Sequence, residues 1–168
     1  MKYLKYLFVG GLVLLTTSSY TTKTSRISEG IYPGNLIPDI VINSDSGNDL
    51  KLSNLRGQKI LVNFWAAYDA NSHMKNVLLW NTLQKLDLPV KMISISFDPS
   101  RSIFEKTLSI DGIADTQSQF LASSGSNSDI YKMLRLERGF KNYLVDEEGI
   151  ILATNINPSD LDKVLNEK

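Results

Sequence analysis

The feature that most constrains the fold is a buried-type strand, a long helix and a second strand at the centre of the chain. Residues 60–65, Ile-Leu-Val-Asn-Phe-Trp, are nearly all apolar, which is typical of a strand buried on both faces. A predicted helix then runs from Asp69 to about Leu86, and a second apolar strand covers residues 90–97. Consecutive strand, helix and strand of these lengths form a right-handed βαβ unit with parallel strands. The sequence therefore predicts an α/β fold.

The predicted helix carries apolar side chains at intervals of three residues. They are Met74, Val77, Trp80, Leu83 and Leu86. Leu78 and Leu79 widen this stripe, so we expect the stripe to pack against the sheet, with Trp80 in the core.

Further elements are predicted on both sides of this unit from apolar runs and turn-forming residues. A short strand at 37–42 and its partner at 50–52 flank the turn-rich residues 43–49. Later elements are a helix at 103–110, a short helix at 129–136, a hairpin of strands 142–146 and 150–154, and a final helix from Pro158. Residues 111–127 show no clear pattern, 123–128 read as an exposed loop, and 134–138 as a solvated helix end.

The N-terminus resembles an export signal. Residues 1–5 form a short basic region that contains Lys2 and Lys5. Tyr6 to Leu15 form an apolar core of ten residues, and residues 16–19 supply small side chains suited to processing. A bilayer span needs about 20 apolar residues, so an uncleaved anchor is the alternative reading. The predicted organisation is a signal segment at 1–19, a linker at 20–33 and one domain at 34–168. We expect an exported protein of the periplasm or cell envelope, with a membrane contact only through an uncleaved N-terminal segment.

Composition excludes several classes of function. The chain of 168 residues contains no cysteine, which removes thiol nucleophiles, disulfide exchange and thiolate metal sites from its own chemistry. Its 18 basic and 18 acidic residues become 16 and 18 once Lys2 and Lys5 are lost with the signal. A nearly neutral domain provides no basic surface for nucleic acid. No metal site and no cofactor are predicted.

Four segments together resemble a known family. They are Gly34–Asp39 (Gly-Asn-Leu-Ile-Pro-Asp), Leu52–Gln58 (Leu-Ser-Asn-Leu-Arg-Gly-Gln), Val62–Ala67 (Val-Asn-Phe-Trp-Ala-Ala) and Tyr143–Gly149 (Tyr-Leu-Val-Asp-Glu-Glu-Gly). Their order and spacing resemble the exported redoxin branch of the thioredoxin fold, which includes thiol-disulfide reductases and thiol-specific antioxidant proteins. The resemblance implies a thioredoxin-like three-layer α/β/α sandwich with a mixed sheet and an N-terminal β-hairpin extension.

The departures from this family lie where its chemistry lies. The family places Cys-x-x-Cys where this chain has Asp69-Ala70-Asn71-Ser72. Phe140, four residues before Leu144, stands at the position of the family's cis-proline, and Val77 stands at the position of a proline in the family's first helix. The resemblance therefore implies the scaffold of an oxidoreductase without the two sulfur atoms of the reaction.

Asp69 and Ser72 occupy the two former cysteine positions. An aspartate at a helix N-terminus accepts backbone N–H groups and is a favoured cap, worth roughly 0.5–2 kcal/mol over alanine. The alternative for Asp69 is a general base. A serine nucleophile needs a positioned base, but the only histidine, His73, is adjacent to Ser72, and adjacent helical residues point about 100° apart. We expect a cap at Asp69, no Ser72–His73 catalytic pair, and an exposed His73.

Phe140 reshapes the former cis-proline loop. A cis bond before a non-proline residue costs about 2.5–4 kcal/mol, so we expect a trans Gly139–Phe140 bond. The ring of Phe140 then fills the old groove or serves as an exposed anchor for a partner. Trp65 either packs beneath the adjacent loop or, with Tyr68, flanks a recognition surface near Asn71.

These residues predict a redox-inactive, non-catalytic domain that binds a protein or peptide through the former active-site face. The possible binding residues are Trp65, Tyr68, Asn71, His73 and Lys141. The alternatives are a thiol-disulfide oxidoreductase, which rests on the family likeness alone, and an enzyme of another kind that uses Asp69 as a base.

Overall fold

The computed structural model describes residues 27–42, 49–86, 90–115, 117–122 and 125–166, which form a mixed five-stranded sheet with helices on both faces. The predicted signal segment, residues 43–48 of the predicted turn and residues 123–124 of the predicted exposed loop lie outside these ranges. Among the described residues, no helix combines the length and the apolar character that crossing a bilayer requires.

The predicted strands and helices are present in the predicted order, and a further strand lies at Gln119–Leu121. The strands are β1 (Val41–Ile42), β2 (Leu50–Lys51), β3 (Lys59–Trp65), β4 (Val90–Ser96), β5 (Gln119–Leu121), β6 (Asn142–Val145) and β7 (Ile151–Thr154). The α-helices are α1 (Ala70–Leu86), α2 (Arg101–Ile110), α3 (Asp129–Met133) and α4 (Leu161–Asn166). Short 3-10 turns cover Leu52–Leu55, Gly125–Asn127, Leu136–Arg138 and Pro158–Asp160.

The main sheet has the order β5-β4-β3-β6-β7. β3, β4 and β5 are parallel, whereas β6 is antiparallel to both β3 and β7. β1 and β2 form a separate antiparallel pair. The predicted βαβ unit, the mixed sheet and the N-terminal hairpin are therefore confirmed, and the fold is the predicted α/β/α sandwich.

Alternate residues of β3 divide the core into two halves, because successive side chains of a strand point to opposite faces. Ile60, Val62 and Phe64 pack with the N-terminal hairpin and residues around α3. Leu61 packs against α1 and α4, and Trp65 packs against α2. Helices thus cover both faces of the sheet.

Tyr143 of β6 lies in the first half of the core, where its ring meets Phe64 edge to face at 6.0 Å. Its hydroxyl has no hydrogen-bond partner in the described part of the chain. Burial, together with the nearby hydroxyl of Tyr32, raises the pKa of Tyr143 to about 12, so the phenol stays protonated under ordinary conditions.

The buried face of α1 differs from the predicted apolar stripe. Ser72, Asn76, Leu79 and Leu83 are buried, whereas Met74 and Leu78 are 58% and 45% exposed. Three residues of a helix turn by only about 300°, so residues spaced strictly by three shift progressively around the helix and do not stay on one face. The buried residues follow steps of four and three, which keep to one face, and two of them are polar. Trp80, predicted as core, is partly buried and packs against both the cluster around Leu61 and the cluster around Trp65.

The first residues of the predicted domain are hydrogen-bonded to β7. The N–H of Gly34 donates to the carbonyl of Ile151 at 2.8 Å, and the N–H of Ile151 donates to the carbonyl of Asn35 at 2.9 Å. Leu36 also forms an isolated antiparallel bridge with Ile150. Residues 34–36, at the start of the predicted domain, therefore cover the outer edge of β7.

The region between α2 and β6 departs most from prediction. β5 lies in residues that showed no pattern, since three residues are too few for a periodic signal. α3 ends at Met133 rather than Leu136, and Arg135 takes a left-handed conformation with φ 54°. Leu134 and Leu136, predicted in a solvated helix end, are buried on either side of this turn.

The assignment of the buried face of α1 is testable with two neighbouring leucines. Leu79→Ala should lower the free energy of unfolding by about 2–5 kcal/mol, because it leaves a cavity against the sheet. Leu78→Ala should change it by no more than about 0.5 kcal/mol, since Leu78 faces solvent. Urea denaturation of both variants measures the difference, and equal losses would contradict the assignment.

Candidate functional site

The candidate site lies at the carboxyl ends of β3 and β4. We define the candidate face as residues 68–73, at the start of α1, with residues 138–141, which precede β6. The N–H of Phe64 donates to the carbonyl of Lys141 at 3.0 Å, which brings the second segment beside the end of β3. The two segments that carried the family's departures therefore lie together.

Asp69 caps α1, as predicted. Its Oδ1 accepts the N–H of Ser72 at 2.7 Å, and its carbonyl accepts the N–H of His73 at 2.9 Å. A carboxylate here satisfies free N–H groups of the first turn and interacts favourably with the helix dipole. The first former cysteine position is thus occupied by a structural anion.

Ser72 is buried and bonded to backbone. Its Oγ accepts the N–H of Ala66 at 3.3 Å and donates to the carbonyl of Asp69 at 3.2 Å. These contacts fasten the first turn of α1 to the chain that leaves β3. No imidazole contacts this hydroxyl within the described ranges, so the geometry agrees with the expectation that Ser72 and His73 form no catalytic pair.

His73 is not the exposed residue that we predicted. Its Nε2 lies 2.7 Å from Oδ2 of Asp111, which follows α2, and its ring stacks on Trp65 with centroids 5.6 Å apart and planes at 24°. The side chain of His73 retains 28% of its accessible surface and that of Asp111 retains 10%. His73 therefore links α1 to the end of α2, and only a minor part of its side chain is exposed on the candidate face.

Trp65 is fully buried, so its expected place on the binding face is wrong. The indole ring packs between His73 and Phe104. Its Nε1 has no hydrogen-bond partner in the described part of the chain. The alternative prediction, that Trp65 packs beneath the loop, is confirmed.

Asp98 is a buried site residue that the sequence reasoning missed. Its Oδ1 accepts the N–H of Ala67 at 2.8 Å, and its Oδ2 accepts the hydroxyl of Ser96 at 2.7 Å. The carboxylate thereby holds the loop that carries Tyr68 and Asp69. The signal was present, because parallel β3 and β4 end at the same edge of the sheet and Asp98 follows β4 by two residues.

Phe140 fills the space left by the altered loop. Its ring lies 5.9 Å from Phe97, 6.2 Å from Tyr131 and 6.3 Å from Tyr68, measured between centroids. The preceding peptide bond is trans, as predicted, and Gly139 has φ 112°, which L side chains rarely adopt. Phe140 is therefore half-buried in an aromatic cluster rather than a free anchor.

Tyr68 is the large exposed side chain of the candidate face. It is 63% exposed and packs one side of its ring against Phe140. Partial burial raises the pKa of the Tyr68 hydroxyl, with smaller contributions from Tyr131, Asp98 and Asp69. Ala70, Asn71, Arg138 and Gly139 are also exposed, whereas Phe140 and Lys141 are half-buried. The accessible part of the face therefore combines the ring of Tyr68 with Asn71 and the charged side chain of Arg138.

The acids and the imidazole of the site are engaged by neighbouring groups. Within the described residues, no three potential metal-ligating side chains lie together. The two acids of the site, Asp69 and Asp98, are both held by backbone N–H groups, and its imidazole, that of His73, is paired with Asp111.

Comparisons with solved structures agree on the fold. A thioredoxin-like protein from Parabacteroides distasonis is 38% identical, with a TM-score of 0.73, and the match covers 84% of this chain and 100% of that protein. The thioredoxin domain of a thiol-disulfide oxidoreductase from Bacteroides vulgatus is 22% identical, with a TM-score of 0.65 and coverage of 82% and 100%. A thiol-disulfide oxidoreductase from Bacteroides fragilis is 24% identical, with a TM-score of 0.62 and coverage of 76% and 98%. No family model matches the sequence, and no curated protein is significantly similar to it.

The capping role of Asp69 is testable. Asp69→Ala should lower the free energy of unfolding by about 0.5–2 kcal/mol, because the N–H of Ser72 loses its acceptor. Asp69→Asn keeps an acceptor oxygen and should retain most of the stability. Urea denaturation at neutral pH measures both, and a loss equally large in Asp69→Asn would show that the role of Asp69 is not capping.

Proposed function

The chain belongs to the thioredoxin-like family, and we propose that it is a redox-inactive member that binds a protein or peptide through the candidate face. The observation that carries this proposal is the complete absence of cysteine, with a capping aspartate and a buried serine at the two former cysteine positions. The family scaffold is retained while its reactive groups are replaced by structural ones.

The replacement removes the electron chemistry of the related oxidoreductases. Disulfide exchange proceeds by attack of a thiolate on a disulfide sulfur through a mixed disulfide. Neither the carboxylate of Asp69 nor the hydroxyl of Ser72 can form that intermediate. The residues of this chain therefore cannot carry out the thiol-disulfide oxidoreductase reaction for which the Bacteroides vulgatus and Bacteroides fragilis proteins are named.

The geometry also argues against Asp69 as the general base of another kind of enzyme. Asp69 is occupied by the N–H of Ser72, and in the described residues no imidazole and no second carboxylate contacts it. A general base needs reach to a substrate proton and a partner that tunes or orients it. The neighbouring imidazole, that of His73, is engaged by Asp111 on the α2 side.

Binding is supported by the composition and rigidity of the face. Tyr68 exposes an aromatic surface that rests on Phe140, and aromatic side chains are enriched at recognition hot spots. The loop behind Tyr68 is fixed by Asp98, and the helix start is fixed by Asp69 and Ser72. A rigid aromatic surface loses little conformational entropy when a partner binds.

We further propose that the protein acts outside the cytoplasm. The support is the basic and then apolar order of its first 15 residues, followed by small side chains. The partner would then be a protein or peptide of the periplasm or cell envelope.

Site-specific crosslinking tests the proposed function. A photoreactive residue replaces Asn71, which is exposed beside Tyr68, in the full-length protein expressed with its N-terminal segment. A matched control places the same residue at Glu148, which is exposed at the β6–β7 turn at the opposite end of the sheet. We expect a discrete adduct from position 71 only, which mass spectrometry identifies.

A second substitution tests whether the aromatic surface makes the contact. Tyr68→Ala in the protein carrying the crosslinker at position 71 should reduce the adduct at least several-fold, since Tyr68 is mostly exposed and its loss leaves the core intact. Identical adducts from positions 71 and 148, or an adduct indifferent to Tyr68→Ala, would contradict the proposed face.

A further inference from the structure

A row of polar side chains is buried between α1 and the sheet. The register aligns Asn63 of β3 with Ser94 of β4, and Ser94 with Gln119 of β5. Aligned residues of adjacent strands point to the same face, here the face that α1 covers. Asn76 of α1 lies over this row and contacts its first two members.

Asn76 is the hub of the row. Its Oδ1 accepts the amide Nδ2 of Asn63 at 2.9 Å and the hydroxyl of Ser94 at 2.6 Å. Because Oδ1 accepts two donors at once, the orientation of the Asn76 amide is fixed. Its Nδ2, which is a donor, must therefore point away from both contacts.

Several polar atoms of this face have no hydrogen-bond partner among the described residues. They are Nδ2 of Asn76, Nε1 of Trp65 and both amide atoms, Nε2 and Oε1, of Gln119. All three residues are at least nine-tenths buried, and Trp65 lies two residues beyond Asn63 on the same face of β3. Among these atoms without a partner there are therefore three donor groups and a single acceptor, Oε1 of Gln119.

Rotation of the Gln119 side chain cannot satisfy this set. If Oε1 of Gln119 accepted the amide of Asn76, the nitrogen atoms of Trp65 and Gln119 would still lack acceptors. The missing element is a small neutral group that both accepts and donates hydrogen bonds. Water meets this requirement, whereas an ion would be buried here without a counter-charge.

We propose that the space between α1 and β3–β5 binds internal water, with one molecule bridging Nδ2 of Asn76 and Oε1 of Gln119. Globular proteins hold on the order of one buried water per 27 residues, each typically with about three hydrogen bonds to buried polar groups. The bridge extends the Asn63–Asn76–Ser94 network to β5, the edge strand. It thereby ties α1, whose first turn forms part of the candidate face, to three parallel strands.

The direct test is an atomic-resolution crystal structure of the protein. We expect ordered water density within hydrogen-bond distance of both Asn76 Nδ2 and Gln119 Oε1. A dry site, or a direct hydrogen bond between Gln119 and Asn76, would overturn the proposal. This measurement uses the unaltered sequence, so it does not depend on the folding of a variant.

Thermal unfolding gives an independent test, because one substitution should change Tm in opposite directions in a hydrated site and in a dry site. Gln119→Met replaces the amide by an apolar group of similar length, and in a hydrated site it should lower Tm by about 2–4 °C or more, because the water loses a partner. In a dry site the same change removes an unsatisfied amide and should raise Tm, which would overturn the proposal. Gln117→Met, at an exposed glutamine two residues away, is the matched control and should leave Tm unchanged.

Discussion

The structure depends on the way in which buried hydrogen bonds hold the first half of α1 to the sheet. Ser72 bonds the chain leaving β3, and Asn76 bonds both central strands, whereas apolar packing by Leu79 and Leu83 begins only in the second half of the helix. Hydrogen bonds are directional, so they fix the rotation and the register of the helix more tightly than apolar contacts do. The start of α1, and with it the candidate face, is placed by this network.

The same constraint explains how the scaffold persists without its chemistry. A helix start at the end of β3 exposes free N–H groups whatever residue stands there, and a carboxylate satisfies them without any redox role. Asp69 supplies that carboxylate, while Asp98 fixes the preceding loop from the end of β4. At the surface, Tyr68 rests on Phe140, and the proposed function assigns binding to this aromatic surface.

Sequence reasoning was sufficient for the fold and for the cap, because the apolar strand of residues 60–65 and an aspartate before a helix are local signals. It failed where the outcome depends on contacts between distant segments. His73 is drawn inward by Asp111, which is 38 positions away, and Trp65 is buried by α2. The spacing of apolar residues in α1 predicted the wrong buried face, because two polar residues are buried there. Ser72 bonds Ala66, just after β3, and Asn76 bonds β3 and β4, and the spacing within the helix does not reveal these contacts.

The central claim, that polar contacts position α1, is tested most directly by the stability of Asn76→Leu, which keeps the branched shape of the side chain and removes its hydrogen-bonding atoms. If the network holds the helix, Asn63 and Ser94 lose their shared acceptor, and the free energy of unfolding should fall by about 2–5 kcal/mol, measured by urea denaturation. The amide protons of the first turn of α1 should also exchange faster with solvent. A variant as stable as the wild type, with unchanged exchange at Ser72 and His73, would contradict the account, since packing alone would then hold the helix in place.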